Sequence, residues 1–197
     1  MQPAPLPTRE RQRLETRSLI LEVALAEIAD AGLAGARIEH IARKAGVTRP
    51  TIYAHFPRKE DFLLSLQAQT EEVTLRALEA RLEGAVTVAD LLRRMVDAIF
   101  ELLGAGHPVL RREVFALIIR EPQEADWIGN GLFGFVSERI AEAQARGEIA
   151  SEPPAPDLTR ILMTAIFGFL VVENEPAAAR RRDAQQLVEL LIGGIEK

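Results

Sequence analysis

An all-α fold is what the 197-residue sequence predicts, and three features predict it. Apolar residues return at three- and four-residue spacing through most of the chain, helix breakers punctuate them, and no segment of convincing length alternates apolar with polar residues as a half-buried strand would. The first helix is expected from about Leu14 to Ala31, where Ile20, Ala24, Ile28 and Ala31 recur, and Gly32 stops it. A short second helix runs from Ile38 to Ala45 with Ile38, Ile41 and Ala42 on its apolar face, and Gly46 supplies the break. The third begins at Thr48, whose hydroxyl can cap free backbone donors, with Pro50 in the first turn, where its missing N–H costs no helical bond. Ile52 and Phe56 form its apolar side, and Pro57 ends it by biasing the preceding residue out of the helical region.

A long amphipathic helix follows from about Lys59 to Leu82, in which Phe62, Leu63, Leu66, Val73 and Leu78 alternate with Glu and Arg. Further helices are expected near 87–104, 108–120 and 123–146. The stretch GEIASEPPAP, residues 147–156, is a loop. Two last helices, 157–174 and 179–195, are separated around Glu175 and Pro176. The organisation expected is a flexible basic arm over 1–13, a small three-helix module over 14–58 and a larger body over 59–197, with the fourth helix as a rigid connector.

Composition removes several classes of function. With no cysteine, disulfides, thiolate nucleophiles and thiolate metal sites are excluded. The opening MQPAPLPTRERQR is proline-rich and charged where a secretory signal needs an apolar run, and no segment offers the roughly 18 consecutive apolar residues of a membrane span. A cytoplasmic protein without membrane partners is therefore expected. The formal charge of -5 conceals an asymmetry: residues 1–60 hold ten Lys/Arg against seven Asp/Glu, the remainder fourteen against twenty-two. A cationic N-terminal quarter on an acidic body suits a small module that touches a polyanion; an unevenly charged solvated surface is the other reading.

Two short helices joined by a glycine-containing turn are the signature of a helix-turn-helix, whose second helix enters the DNA major groove N-terminus first. Gly46 permits the reversal, Val47 fills the angle, and Thr48 to Tyr53 supply a face of small and polar residues. Arg49 is the only long cationic residue at that leading end, and Arg to guanine is the commonest direct contact in the major groove. Thr51 and Tyr53 carry hydroxyls that reach phosphates, contacts that set position rather than sequence.

The segment IEHIARKAGVTRPTIYAHFPRKEDFLLSL, residues 38–66, resembles the DNA-binding segment of the TetR family of bacterial transcriptional repressors. The matching features are Ile41 and Ala42, the AGV turn at 45–47, Thr48, TIYAHF at 51–56 and KED at 59–61, and the helix ending at Gly32 resembles the family's first. The resemblance implies three small helices for DNA followed by about six for ligand binding and dimerisation. It makes Arg49 and Pro50 base-facing and Thr48, Thr51, Tyr53, His55 and Lys59 backbone contacts. Duller roles stand beside these: Thr48 as a cap alone, Tyr53 as a packed ring, His55 as a structural residue. The family's usual Thr or Ser before the second helix is here Arg37, so a cap worth about 1 kcal/mol is lost. Arg37 is then either a phosphate contact or a poorly capped helix end, with Glu39 in the first turn as partial compensation through the helix dipole. The arm TRERQRLETR, residues 8–17, carries four arginines that either follow DNA or are simply solvated.

One reading helix covers few base pairs, and two-fold doubling makes a palindromic operator readable, so a homodimer is expected. The last two helices supply the material. Residues 158–172 are apolar on nearly every side, and Leu162, Ala165, Phe169, Leu187, Leu190 and Leu191 are the candidate interface; burial within one protomer is the rival reading. Phe100, His107, Arg111, Phe115, Trp127, Phe133, Met163 and Phe167 are the candidate lining of a pocket for a small apolar or amphipathic effector, His107 as a gate or surface residue equally well. Release from DNA by that effector is implied by the resemblance alone. No catalytic set, metal site or cofactor is expected: three histidines stand apart, and neither HExxH, a glycine-rich phosphate loop nor a nucleophile elbow occurs. The alternative function is a helical interaction protein without specific DNA binding.

Overall fold

Local signals set the boundaries of the helices in the computed structural model, which describes residues 7–81, 87–105, 107–120, 131–171 and 177–194. Among these lie nine helices and no strand: α1 Thr8–Gly35, α2 Ile38–Ala45, α3 Arg49–His55, α4 Glu60–Arg81, α5 Val88–Ala105, α6 Pro108–Arg120, α7 Gly131–Ala145, α8 Ala155–Val171 and α9 Ala177–Gly193. The expected all-α fold is what the chain adopts. The first part of the helix expected over 123–146 falls outside the described residues, as does Trp127.

Helix α1 departs from expectation at its start. It begins after Pro7, whose carbonyl accepts the Arg11 N–H at 3.0 Å, so residues 8–13 of the anticipated arm are helical. Nothing between Pro7 and Leu14 breaks a helix, and Arg11 and Glu15 pair at 3.7 Å one turn apart. At its other end the expected break is real: Gly32 has φ 71° and ψ 166° and kinks α1 before its last residues. The Ala36 N–H returns to the Gly32 carbonyl at 3.0 Å.

The chain forms two compact units. The first comprises Met1–Gln67 and His107–Arg120, the second Ala68–Gly106 and Glu121–Lys197. In the first, α1 packs on α2 and α6, and α2 on α3. Its core joins Ile20, Ala24 and Ile28 of α1, Ile41 of α2, Ile52 of α3, Phe56, Phe62 and Leu63, and also Leu117 of α6. Thus a helix more than forty residues downstream completes the N-terminal core. Glu113 of α6 reaches the kink in α1, where its Oε1 accepts the Leu33 N–H at 3.1 Å. That bond satisfies a donor which the break in α1 leaves without a helical acceptor.

In the second unit α5 packs on α9 and α7, and α8 on α7 and α9. Leu91, Leu92, Met95, Val136, Ile140, Leu158, Ile166 and Val188 are buried there. Polar bonds fix the helix ends: Glu148 Oε1 accepts the Val88 N–H at 2.8 Å, and Gln144 Nε2 donates to the carbonyls of Ala150 and Pro153 at 2.9 and 2.8 Å. Arg93 clasps Glu189 through two bonds of 2.6 and 2.8 Å, and Asp97 accepts from Arg181 and Gln185, tying α5 to α9.

Candidate nucleic-acid interface

The turn between α2 and α3 is built from three residues. Gly46 takes the left-handed conformation, φ 66° and ψ 27°, in which an L side chain is disfavoured. Val47, packed on the core, sends its N–H back to the Ala42 carbonyl at 3.0 Å. Thr48 then caps α3, its Oγ1 accepting the Thr51 N–H at 3.3 Å and lying 2.7 Å from Thr51 Oγ1. Pro50 stands in the first turn. With Ile52 and Phe56 buried on one side of this short helix, Arg49, Pro50 and Tyr53 are left exposed on another, Tyr53 at 44%.

Thr48 is exposed and Thr51 half-buried, so the cap and the hydroxyl pair lie at the accessible leading end of α3. Arg49 Nη1 lies 3.0 Å from Glu39 Oε1 of α2. Arg37 precedes α2 in extended conformation with no side-chain cap, and is exposed. Lys59, half-buried, immediately precedes α4, where Asp61 Oδ2 turns back to accept the Arg58 N–H at 2.7 Å. His55 closes α3 and is half-buried; burial, with Arg13 and Arg17 nearby, holds its imidazole below the ordinary histidine range. The shift favours the neutral ring, which can donate one hydrogen bond.

Two residues that hold this surface escaped the sequence reading. Arg17, counted there among the arm's phosphate-seeking cations, instead turns inward: its guanidinium donates to the His55 carbonyl, to Ser65 Oγ at 3.0 Å, and lies 4.0 Å from the Phe56 ring centroid. Glu27, only 7% exposed on α1, receives Lys44 Nζ on Oε2 at 3.0 Å and His40 Nδ1 at 3.1 Å from Oε1, binding α2 to α1. Signals for both existed in the sequence as charged residues on an otherwise apolar stripe, since Glu27 adjoins Ile28 and Ala24 lies one turn before it.

The Lys44 hydrogen bond chiefly, opposed by burial and aided by His40, holds the Glu27 carboxyl below its ordinary value. A folded-state pKa below the unfolded one gives stability that is present above the unfolded value and lost as pH falls through the folded one. Glu27→Gln is expected to lower stability by about 1–2 kcal/mol at pH 7, because both partners are part-exposed and can rehydrate. In denaturant unfolding the difference from the parent should shrink below about pH 4. An equal difference at both pH values would refute the ion-pair account.

The other candidates separate between the units. Phe100, Phe133 and Met163 are buried in the second, whereas His107, Arg111 and Phe115 belong to the first, on or next to α6. The Phe167 and Phe169 side chains lie outside the described residues. On α8 the buried residues Leu158, Thr159, Leu162, Met163 and Ile166 form the inward stripe, and Leu162 is 1% exposed. Leu162, a candidate interface residue, thus lies on the inward stripe, whereas Ile161, 52% exposed, lies on the outward stripe with Thr164, half-buried Ala165 and Gly168. On α9 Leu190 is 76% exposed, and Leu187 and Leu191 are half-buried.

Charge follows the units. The first holds thirteen Lys/Arg against nine Asp/Glu, net +4, and the second eleven against twenty, net -9. Residues 20–66, which contain α2, the turn and α3, match the family model of the bacterial regulatory proteins, tetR family. The HTH-type transcriptional repressor BepR of Brucella suis is 30% identical over 175 residues, 79% of each chain. The HTH-type transcriptional regulator UidR of Escherichia coli K12 is 27% identical over 183 residues, 91% of this chain and 92% of UidR. The fatty acid degradation regulator FadR of Bacillus halodurans has the same fold, with a TM-score of 0.70 at 21% identity over 95% of this chain and 96% of that one. A capped reading helix on a cationic unit, in a chain whose relatives are transcriptional regulators over most of their length, makes this a DNA-binding regulator that belongs to the TetR family.

Proposed function

We propose that the protein is a homodimeric repressor that reads a palindromic operator with α3 and is released by a small apolar or amphipathic effector. The observation that carries the reading is the exposed leading end of α3, where Arg49 and Pro50 stand clear of the core. Arg49 reads a base edge and Pro50 lies against a thymine methyl. Thr48, Thr51, Tyr53, His55 and Lys59, with Arg37 at the head of α2, hold the phosphates. Neutral His55 serves as a donor rather than as a cation.

The exposed Leu190 and Ile161, with Ala165, Leu187 and Leu191, support a subunit interface formed by α8 and α9. An effector among Phe100, Phe133 and Met163 would act by binding the DNA-incompetent state more tightly than the competent one. Helix α4, which contributes residues to both units, is the candidate connector.

Selection from random duplex DNA followed by mobility assays at two salt concentrations tests the reading. A palindrome should be enriched, and Arg49→Ala should reduce discrimination at one base pair of each half-site by about 10- to 100-fold. Lys59→Ala should instead weaken binding to all sequences alike and lower the salt slope by about 1. Enrichment of no sequence by the folded protein would refute specific recognition, and a monomer in sedimentation would refute the palindrome.

A further inference from the structure

We infer that Glu39 sets the sequence selectivity of the reading helix by positioning Arg49 and by denying it to phosphates. The inference rests on the reading of Arg49 as a base contact. Glu39 lies in the first turn of α2, on a different helix from the arginine it meets, and its Oε1 is 3.0 Å from Arg49 Nη1. Both side chains are about half exposed, so neither is fixed by the core. The pair is what gives the long arginine side chain a direction.

Stoichiometry decides what such a pair does. A guanidinium carries five N–H donors in a planar fork, and a carboxylate at Nη1 leaves donors elsewhere on the fork for the O6 and N7 of a guanine. Fixing one edge of the plane by Glu39 restricts its swing and thereby the rotamers lost when the base is engaged. The same carboxylate repels a phosphate that approaches Arg49 in a wrong register, since two anions then share one cation. A base edge, which is neutral, suffers no such repulsion. Glu39 therefore lowers affinity for arbitrary DNA more than affinity for the operator.

The side chain's chemistry agrees. Its own backbone N–H at the start of α2, then the charge of Arg49, keep the Glu39 carboxyl below the ordinary range. It is ionised wherever DNA binding is measured. The ion pair is also local to the interface: Lys44, another cation of α2, is committed to Glu27.

The experiment is a double-mutant cycle with Glu39→Gln and Arg49→Ala in the full-length protein, read as the affinity ratio between the selected operator and operators changed at single base pairs. Glu39→Gln should reduce discrimination at the Arg49-dependent base pair by about threefold, within the range of an exposed ion pair. It should also raise affinity for random duplex and steepen its salt slope by about 1. Discrimination at other pairs should be unchanged, and in the Arg49→Ala background the second substitution should alter no ratio. Unchanged discrimination with Glu39→Gln, while Arg49→Ala still abolishes it, would overturn the inference and leave the base contact standing. Intact discrimination with Arg49→Ala would overturn the base contact itself. A uniform loss at every base pair, accompanied by faster amide exchange in α2, would assign Glu39 to helix stability and also overturn the inference.

Discussion

Gly32→Ala is expected to destabilise the N-terminal unit by about 2–5 kcal/mol, from two costs that act together. At φ 71° and ψ 166° Gly32 occupies a region essentially closed to L side chains, which alone costs about 1–3 kcal/mol. A Cβ there would stand 2.9 Å from Glu113 Oε1. The carboxylate must then retreat from the Leu33 N–H, stranding a donor on a buried residue at a further cost of about 1–2 kcal/mol. Glu113→Ala incurs only the second cost, and Glu113→Gln, whose amide oxygen can still accept, should be nearly silent. Denaturant unfolding with hydrogen exchange of residues 8–67 measures the three variants. If Gly32→Ala fell within 1 kcal/mol of the parent, the kink would not be imposed by the glycine.

Arg17→Ala should cost about 2–4 kcal/mol and lower DNA affinity without altering sequence preference. The substitution removes a charged hydrogen bond to the His55 carbonyl, where α3 ends, another to Ser65, and the cation stacked on Phe56. These contacts tie α1 to the end of α3 and to α4, at the other end of α3 from the leading end proposed to meet DNA. Lysine should recover less than half of the loss, because a single ammonium cannot donate in two directions while lying flat on a ring. His55 supplies an independent readout. Part of what depresses its pKa is the charge of Arg17, so in the alanine variant its titration should move up toward the ordinary value. A selective loss at one base pair, rather than a uniform one, would contradict a positioning role for Arg17.

The turn and the bounds of α2 and α3 were legible in the sequence because their determinants are local. Gly46, Thr48, Pro50 and Pro57 each act within four residues, and α2 and α3 begin and end where those residues require. What supports these helices was not legible. Arg17 finds its partners 38 and 48 residues away and Glu113 its own 80 away, distances at which periodicity carries no information. The early start of α1 has a milder reason: arginines and glutamates are good helix formers, so the basic stretch before Leu14 continues the helix rather than forming a separate arm. On α8 the difficulty was rotational. A helix apolar all round does not reveal which stripe the core takes, and Leu162 and Ile161 differ by one position.

The contribution of α6 to the first unit bears on how such regulators can be recombined. An engineer who grafts residues 1–67 onto another sensor body would leave behind Leu117, which belongs to the same core as Ile28 and Phe56, and the carboxylate at the kink of α1. The transplant would carry every side chain proposed to contact DNA and still arrive with a hole and an orphaned N–H. A portable reading head for this chain therefore has two pieces of sequence, 1–67 and 107–120, and recipients must be chosen for a sixth helix that can take Leu117 and Glu113.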